Sequence, residues 1–307
     1  MSRALIRTVI VAAVAGLAVP AAHANARLGA DGTKTLYLSV LDESGKPVKD
    51  MTAAEFAMRE DGKDIQIISA GPAQDPLQVV FLVDTSGSAV QLTQDIRNGV
   101  GGFVKQLHSV RTDAAIELME FGQAAVAATP FTTDDAVLLK ALEKLVGKPN
   151  ADAVMLEALN QATSDLGKRP SPRRAVVSLN MDPSRELIGD TNRIKDGFRK
   201  SVAQMWALTL QVSNISISAG KNAGASATAS GSSTRNAVLS QLATQTGGTH
   251  DNINTPSAIE GVLRQYADAL TYQYEIVYKS PNKSAKVVQV GTTRQGVKLH
   301  ASGFAPQ

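Results

Sequence analysis

The chain has 307 residues, with 31 Lys and Arg against 28 Asp and Glu, and its formal charge of +3 gives no support to a nucleic-acid role. It contains no cysteine, which excludes disulfides, thiol catalysis, cysteine-ligated zinc and lipidation of a cysteine. An apolar content of 43% is enough for a well-buried core, and four histidines leave few candidates for imidazole chemistry.

At the N-terminus, Arg3 and Arg7 precede an apolar run over residues 9–19 and the small-residue stretch Ala21-Ala22-His23-Ala24-Asn25-Ala26. This is the pattern of a secretory signal peptide. The run is too short to cross a hydrocarbon core of roughly 30 Å, and Ala22-x-Ala24 and Ala24-x-Ala26 both fit the small-x-small cleavage rule. Cleavage is expected after Ala24, giving a signal peptide of residues 1–24 and a periplasmic or secreted mature chain. No later stretch offers the roughly 18 uninterrupted apolar residues of a membrane span, so no transmembrane segment is expected after cleavage.

An N-terminal β module is expected over residues 32–73. Leu36-Tyr37-Leu38-Ser39-Val40 and Ile65-Gln66-Ile67-Ile68 alternate with period two, as half-buried strands do. Between them Thr52 and Glu55 have the spacing of a capping box around a one-turn helix.

From Leu77 the pattern changes to short, continuously apolar strands separated by amphipathic helices. Strands buried on both faces are predicted at 77–83, 115–121, 175–179 and 205–212, with a less buried one at 124–131. Helices are predicted at 92–107, 134–146, 153–166, 191–204, 233–246 and 256–270. Residues 213–233 are rich in Gly, Ser, Ala, Thr and Asn, and read as a loop.

The fold class is therefore α/β, a mostly parallel, doubly wound sheet over residues 76–270, with ligands expected at the carboxyl ends of its strands. Alternation returns after Leu270, at 272–278, 285–290 and 297–300. Residues 271–303 are too few to bury a face alone, so they are expected to pair with the N-terminal module in a small β-sandwich built from both chain ends.

The segment that carries chemistry is Asp84-Thr85-Ser86-Gly87-Ser88, directly after Val79-Val80-Phe81-Leu82-Val83. At a strand's carboxyl end, one carboxylate and two hydroxyls converge on a point, and Asp84, Ser86 and Ser88 are expected to face solvent there. Hard oxygen ligands suit Mg²⁺, Mn²⁺ or Ca²⁺ better than zinc.

This D-x-S-x-S segment resembles the von Willebrand factor A family, where it begins a metal-ion-dependent adhesion site. Phe121-Gly122, Phe131-Thr132-Thr133-Asp134 and Arg173-Arg174-Ala175-Val176-Val177-Ser178-Leu179 look like further segments of that fold. Phe56-Ala57-Met58-Arg59-Glu60-Asp61-Gly62-Lys63 and Thr246-Gly247-Gly248-Thr249 extend the likeness to a bacterial group of von Willebrand factor A-related proteins.

The resemblance implies an exported protein-binding module, for adhesion or scaffolding and not an enzyme. Its cation would be held by Asp84, Ser86 and Ser88 and bound in turn by an acidic side chain of a protein partner. The family's threonine in the second loop aligns with Ala153, and its aspartate in the third loop aligns with Met181. The site is thus partly degenerate, with Asp152 and Asp182 as the neighbouring carboxylates able to complete a metal set.

The alternative is a metal-free scaffold of the same fold, in which Asp84 caps the turn and the serines satisfy backbone donors. A hydrolase is a remote third reading, because neither a G-x-S-x-G elbow nor a Ser-x-x-Lys pair occurs. His250 reads as a loop-surface histidine, residues 169–174 as a solvated connection, and Trp206 as core.

Overall fold

The computed structural model describes residues 32–184, 186, 190–212, 225–282 and 284–306, so the expected signal peptide lies outside the described residues. The alternating N-terminal segment folds as β1 (Thr33–Asp42), β2 (Phe56–Glu60), β3 (Lys63–Ile65) and β4 (Ile67–Pro72). Before β2 the expected single turn forms at Ala53–Glu55, and the Glu55 carboxylate accepts from the Thr52 N–H at 2.8 Å. Phe56, Met58 and Glu60 turn inward at period two.

The α/β part follows as β5 (Gln78–Asp84), α1 (Thr93–His108), β6 (Ala115–Phe121), β7 (Ala125–Ala127), α2 (Asp135–Lys144) and α3 (Met155–Gly167). Then come β8 (Arg174–Asp182), α4 (Thr191–Ser201), β9 (Gln204–Gln211), α5 (Ala225–Thr246), β10 (Thr249–Ile253) and α6 (Ile259–Thr271). The chain ends in β11 (Tyr274–Lys279), β12 (Val288–Thr292) and β13 (Val297–Ala301).

The six-stranded sheet has the order β10-β9-β8-β5-β6-β7, and only the short edge strand β7 runs antiparallel. Every residue of β5 is buried. Val79, Phe81 and Val83 pack with Ile96, Phe103 and Leu263 of α1 and α6 on one face. Val80 and Leu82 pack with Leu159, Phe198 and Leu239 of α3, α4 and α5 on the other. Helices on both faces explain why β5 has no polar alternation.

Strands from the two chain ends pair directly: β1 runs antiparallel to β11 with Leu36 opposite Ile276, and β12 pairs with β2. The sheets β13-β1-β11-β4 and β12-β2-β3 enclose Leu38, Val40, Met58, Tyr274, Ile276 and Val288. The fold class read from the sequence, a parallel α/β sheet plus a sandwich of both ends, is the observed one.

Three local expectations need correction. Residues 225–233, read as loop, begin helix α5, while 213–224 lie outside the described residues. Ala and Ser cost a helix little, and burial of Val238, Leu239 and Leu242 anchors it further along. The polar segment Thr249–Ile253 forms an edge strand that pairs with β9, because backbone pairing to an existing strand needs no apolar pattern.

Arg173, expected in a solvated connection, is 1% exposed. Its guanidinium donates to the Leu270 and Thr271 carbonyls and to Gln273 Oε1, joining the start of β8 to the segment that leads into the sandwich.

Candidate functional site

β5 lies between β8 and β6, where the chain's winding reverses, and Asp84 ends it at the edge where sheets of this kind commonly form a crevice. Asp84 Oδ1 accepts from the Ser86 N–H at 2.8 Å, and Oδ2 accepts from the Met181 N–H at 2.9 Å. One carboxylate thus closes its own turn and ties β5 to β8 past the last ladder pair, Val83 and Leu179. Ser88 Oγ donates to the Pro183 carbonyl at 2.8 Å. The second loop closes underneath, with the Gly87 N–H donating to Ala151 O and the Lys148 N–H to Thr85 O.

The expectation that the trio faces solvent is wrong: Asp84 is 0%, Ser86 1% and Ser88 4% exposed. The cover comes from two remote segments. After β8, Glu186 folds back so that its Oε1 accepts from the Leu156 N–H at 3.1 Å, beside the N-terminus of α3. It also forms an isolated bridge with Ala153, the position aligned with the missing threonine. From α5, Ser232 Oγ accepts from the Ser184 N–H and donates to its carbonyl. Arg235, 0% exposed, donates from Nη2 to the Met181 carbonyl at 2.7 Å.

Burial shapes the electrostatics. It raises the Asp84 carboxyl, against the charge of Arg235 and the hydrogen bonds from Ser86 and Met181. It pushes the Glu186 carboxyl up to about 8, opposed by the Leu156 N–H and Arg235 and reinforced by Asp84. Asp182 behaves oppositely. Burial alone would raise it, but hydrogen bonds from Ser232, Asn236 and Gln211 and the charge of Arg235 hold it below its usual value. Several buried polar atoms around the centre lack a hydrogen-bond partner among the described residues: Thr85 Oγ1, Ser86 Oγ, Glu186 Oε2, and Arg235 Nε and Nη1.

Of the five residues expected to hold a cation, Asp84, Ser86 and Ser88 belong to one buried loop. Asp152 is half-buried in the second loop. Asp182 is turned to Gln211 and Asn236, its Oδ2 accepting at 3.1 and 2.9 Å. Among the described residues no three His, Asp or Glu side chains come together as a metal-holding group. The second loop offers Ala153 in place of a hydroxyl, the third offers Met181 in place of a carboxylate, and a guanidinium shares the centre. This donor set does not fit a divalent cation, which requires several converging oxygens.

Glu186 and Arg235 are the site residues that sequence reasoning missed. Arg235 left a signal: it is the only charged residue between Lys221 and Asp251, and it stands three, four and seven residues before Val238, Leu239 and Leu242. A lone charge in line with a helix's apolar stripe lies on its core-facing side. His250, read as a surface loop residue, lies on β10 between Thr209 Oγ1 at 2.9 Å and Ser240 Oγ at 2.8 Å.

Residues 79–182, the span from β5 to the end of β8, match the family model described as the von Willebrand factor type A domain. Those residues, about a third of the chain, are similar to a von Willebrand factor type A domain. Three solved structures similar to it share little sequence. A von Willebrand factor type A protein from Catenulispora acidiphila is 11% identical, with a TM-score of 0.48 over 90% of this chain and 74% of that one. The conserved hypothetical protein BatB from Bacteroides thetaiotaomicron is 15% identical, with a TM-score of 0.47 over 63% of this chain and 98% of that one. An aerotolerance-related membrane protein from Bacteroides fragilis is 16% identical, with a TM-score of 0.45 over 62% of this chain and 98% of that one. No curated protein matches the chain. Among the described residues, no helix is long and apolar enough to cross a membrane.

Proposed function

We propose that this chain is an exported protein-interaction module, with the A domain (76–270) mounted on a sandwich formed by residues 32–73 and 271–303. The observation that carries the reading is the covered D-x-S-x-S loop. A-type domains commonly mediate protein–protein contact, and here the centre of the rim is filled by the chain's own Glu186 and Arg235. Binding therefore proceeds without an open coordination position for a partner's carboxylate. It uses the polar rim where β9 and β10 end, at Gln211 and the exposed Asn252, which are joined at 3.2 Å.

A hydrolase reading gains no support at the same centre, where no hydrogen-bond partner of Ser86 Oγ stands among the described residues. Export rests on residues 1–24, and N-terminal sequencing of periplasmic or secreted material is expected to read from Asn25.

The test of function is a pull-down from the periplasmic fraction with mature wild-type protein and with a Gln211→Lys, Asn252→Lys variant of unchanged Tm. Capture of a protein by the wild type that survives EDTA and is lost in the variant is the expected result. Equal capture by both, or capture that requires Mg²⁺, rejects the rim as the binding surface.

A further inference from the structure

We propose that Arg235 is the resident cation of the D-x-S-x-S site, a guanidinium built into the chain that makes a bound divalent metal unnecessary. The inference is independent of which partner the rim binds.

The geometry begins with Met181. In an extended strand the N–H and C=O of one residue point to the same side, toward the same neighbour. On β8 that neighbour is β5, whose ladder stops at Val83 opposite Leu179. The two Met181 groups that a longer β5 would have paired are taken instead by Asp84 Oδ2, at 2.9 Å, and by Arg235 Nη2, at 2.7 Å. Asp84 and Arg235 thus meet across one peptide residue, at the point where the strand ends.

The charge is as enclosed as its counter-charge. Arg235 and Asp84 are both 0% exposed, and Nη2 also lies 3.7 Å from Asp182 Oδ1. Among the described residues Nε and Nη1 have no hydrogen-bond partner, so the charge is not neutralised by a complete set of bonds. Asp84, Asp182 and Glu186 all feel that charge, which opposes the burial that raises Asp84 and Glu186 and helps to hold Asp182 low. A second, divalent charge in the same buried volume would face direct repulsion from the guanidinium.

Position on α5 makes the arrangement permanent. Arg235 shares the helix's apolar stripe with Leu239 and Leu242, which pack under the sheet, so it cannot leave without lifting the helix. Its neighbour Ser232 fastens the same helix to Ser184 through both backbone groups.

The experiment uses the mature chain. Calorimetric titration of the wild type with Mg²⁺ and Mn²⁺, and its thermal unfolding in EDTA against excess of either ion, are expected to show no saturable heat and no change in Tm. A double-mutant cycle then reads the coupling between Arg235 and Asp84. Arg235→Met is expected to lower Tm strongly, and Asp84→Asn in that background to recover part of the loss, whereas Asp84→Asn alone lowers Tm. If Arg235→Met does not fold, folding of the double variant supports the pair, and the wild-type titration stands by itself. Saturable metal binding by the wild type, or equal cost of Asp84→Asn with and without Arg235, overturns the proposal.

Discussion

Arg173 Nε donates to Gln273 Oε1 at 2.8 Å, and Gln273 Nε2 donates in turn to Gln204 Oε1 at 2.7 Å. A buried arginine at the start of β8 is thereby wired to the base of β9 through the residue that precedes β11. The sheet and the sandwich share this polar joint.

Arg173→Met removes donors from the Leu270 and Thr271 carbonyls and leaves Gln273 half-paired. The expected cost is about 2–4 kcal/mol, read by urea unfolding. Arg173→Lys is expected to recover little, since an ammonium cannot serve three acceptors in the plane of a guanidinium.

A second buried pair lies inside the sandwich. Lys34 Nζ is 3.2 Å from Glu60 Oε1, both side chains are 1% exposed, and Glu60 also accepts from Tyr278 and Ser280. Lys34→Met is expected to cost roughly 3–5 kcal/mol by stranding the carboxylate, and Lys34→Met with Glu60→Leu to return most of it. A double variant no more stable than Lys34→Met, in the same denaturant titration, rejects this coupling.

Stability is expected to depend on pH through two raised carboxyls. Burial first, and Asp84 second among the raising influences, lifts Glu186 from 4.5 to about 8, and burial with Asp165 lifts Glu117 from 4.5 to about 7. A folded-state pKa above the unfolded one means that the native chain holds the extra proton. The penalty is absent at pH values below the unfolded 4.5 and grows as pH rises through the folded values. Glu186→Gln, which keeps an acceptor for Leu156, is expected to match the wild type near pH 5 and exceed its Tm above about pH 8. A constant Tm difference across that range argues against the raised carboxyl.

Gly247 and Gly248, in the Thr246-Gly247-Gly248-Thr249 segment, are predicted to tolerate no side chain. Gly247 has φ +75°, and a Cβ there would lie 2.1 Å from the Ala301 carbonyl carbon; one on Gly248 would lie 1.8 Å from Met205 O. Both obstacles are backbone, so Gly248→Ala is expected to cost more than about 3 kcal/mol or abolish soluble expression. Gly167→Ala, with nothing within 4 Å of the new Cβ, is the control and is expected to be neutral or to stabilise by up to about 1 kcal/mol.

The sequence by itself determined the layers. Unbroken apolar runs such as Val79 to Val83 specify strands covered on both faces, alternation at Leu36 to Val40 specifies a one-sided sheet, and both signals are local. The location of Asp84-Thr85-Ser86-Gly87-Ser88 at a strand's carboxyl end was legible for the same reason. Tertiary structure alone decided whether that loop would be open. Its cover comes from Glu186 and Ser232 to Asn236, roughly 100 to 150 residues further along the chain, and burial depends on what packs over a residue more than on its own pattern. The sheet edge at Thr249–Ile253 and the burial of Arg173 were decided in the same way, by backbone and carbonyl partners that no local periodicity records.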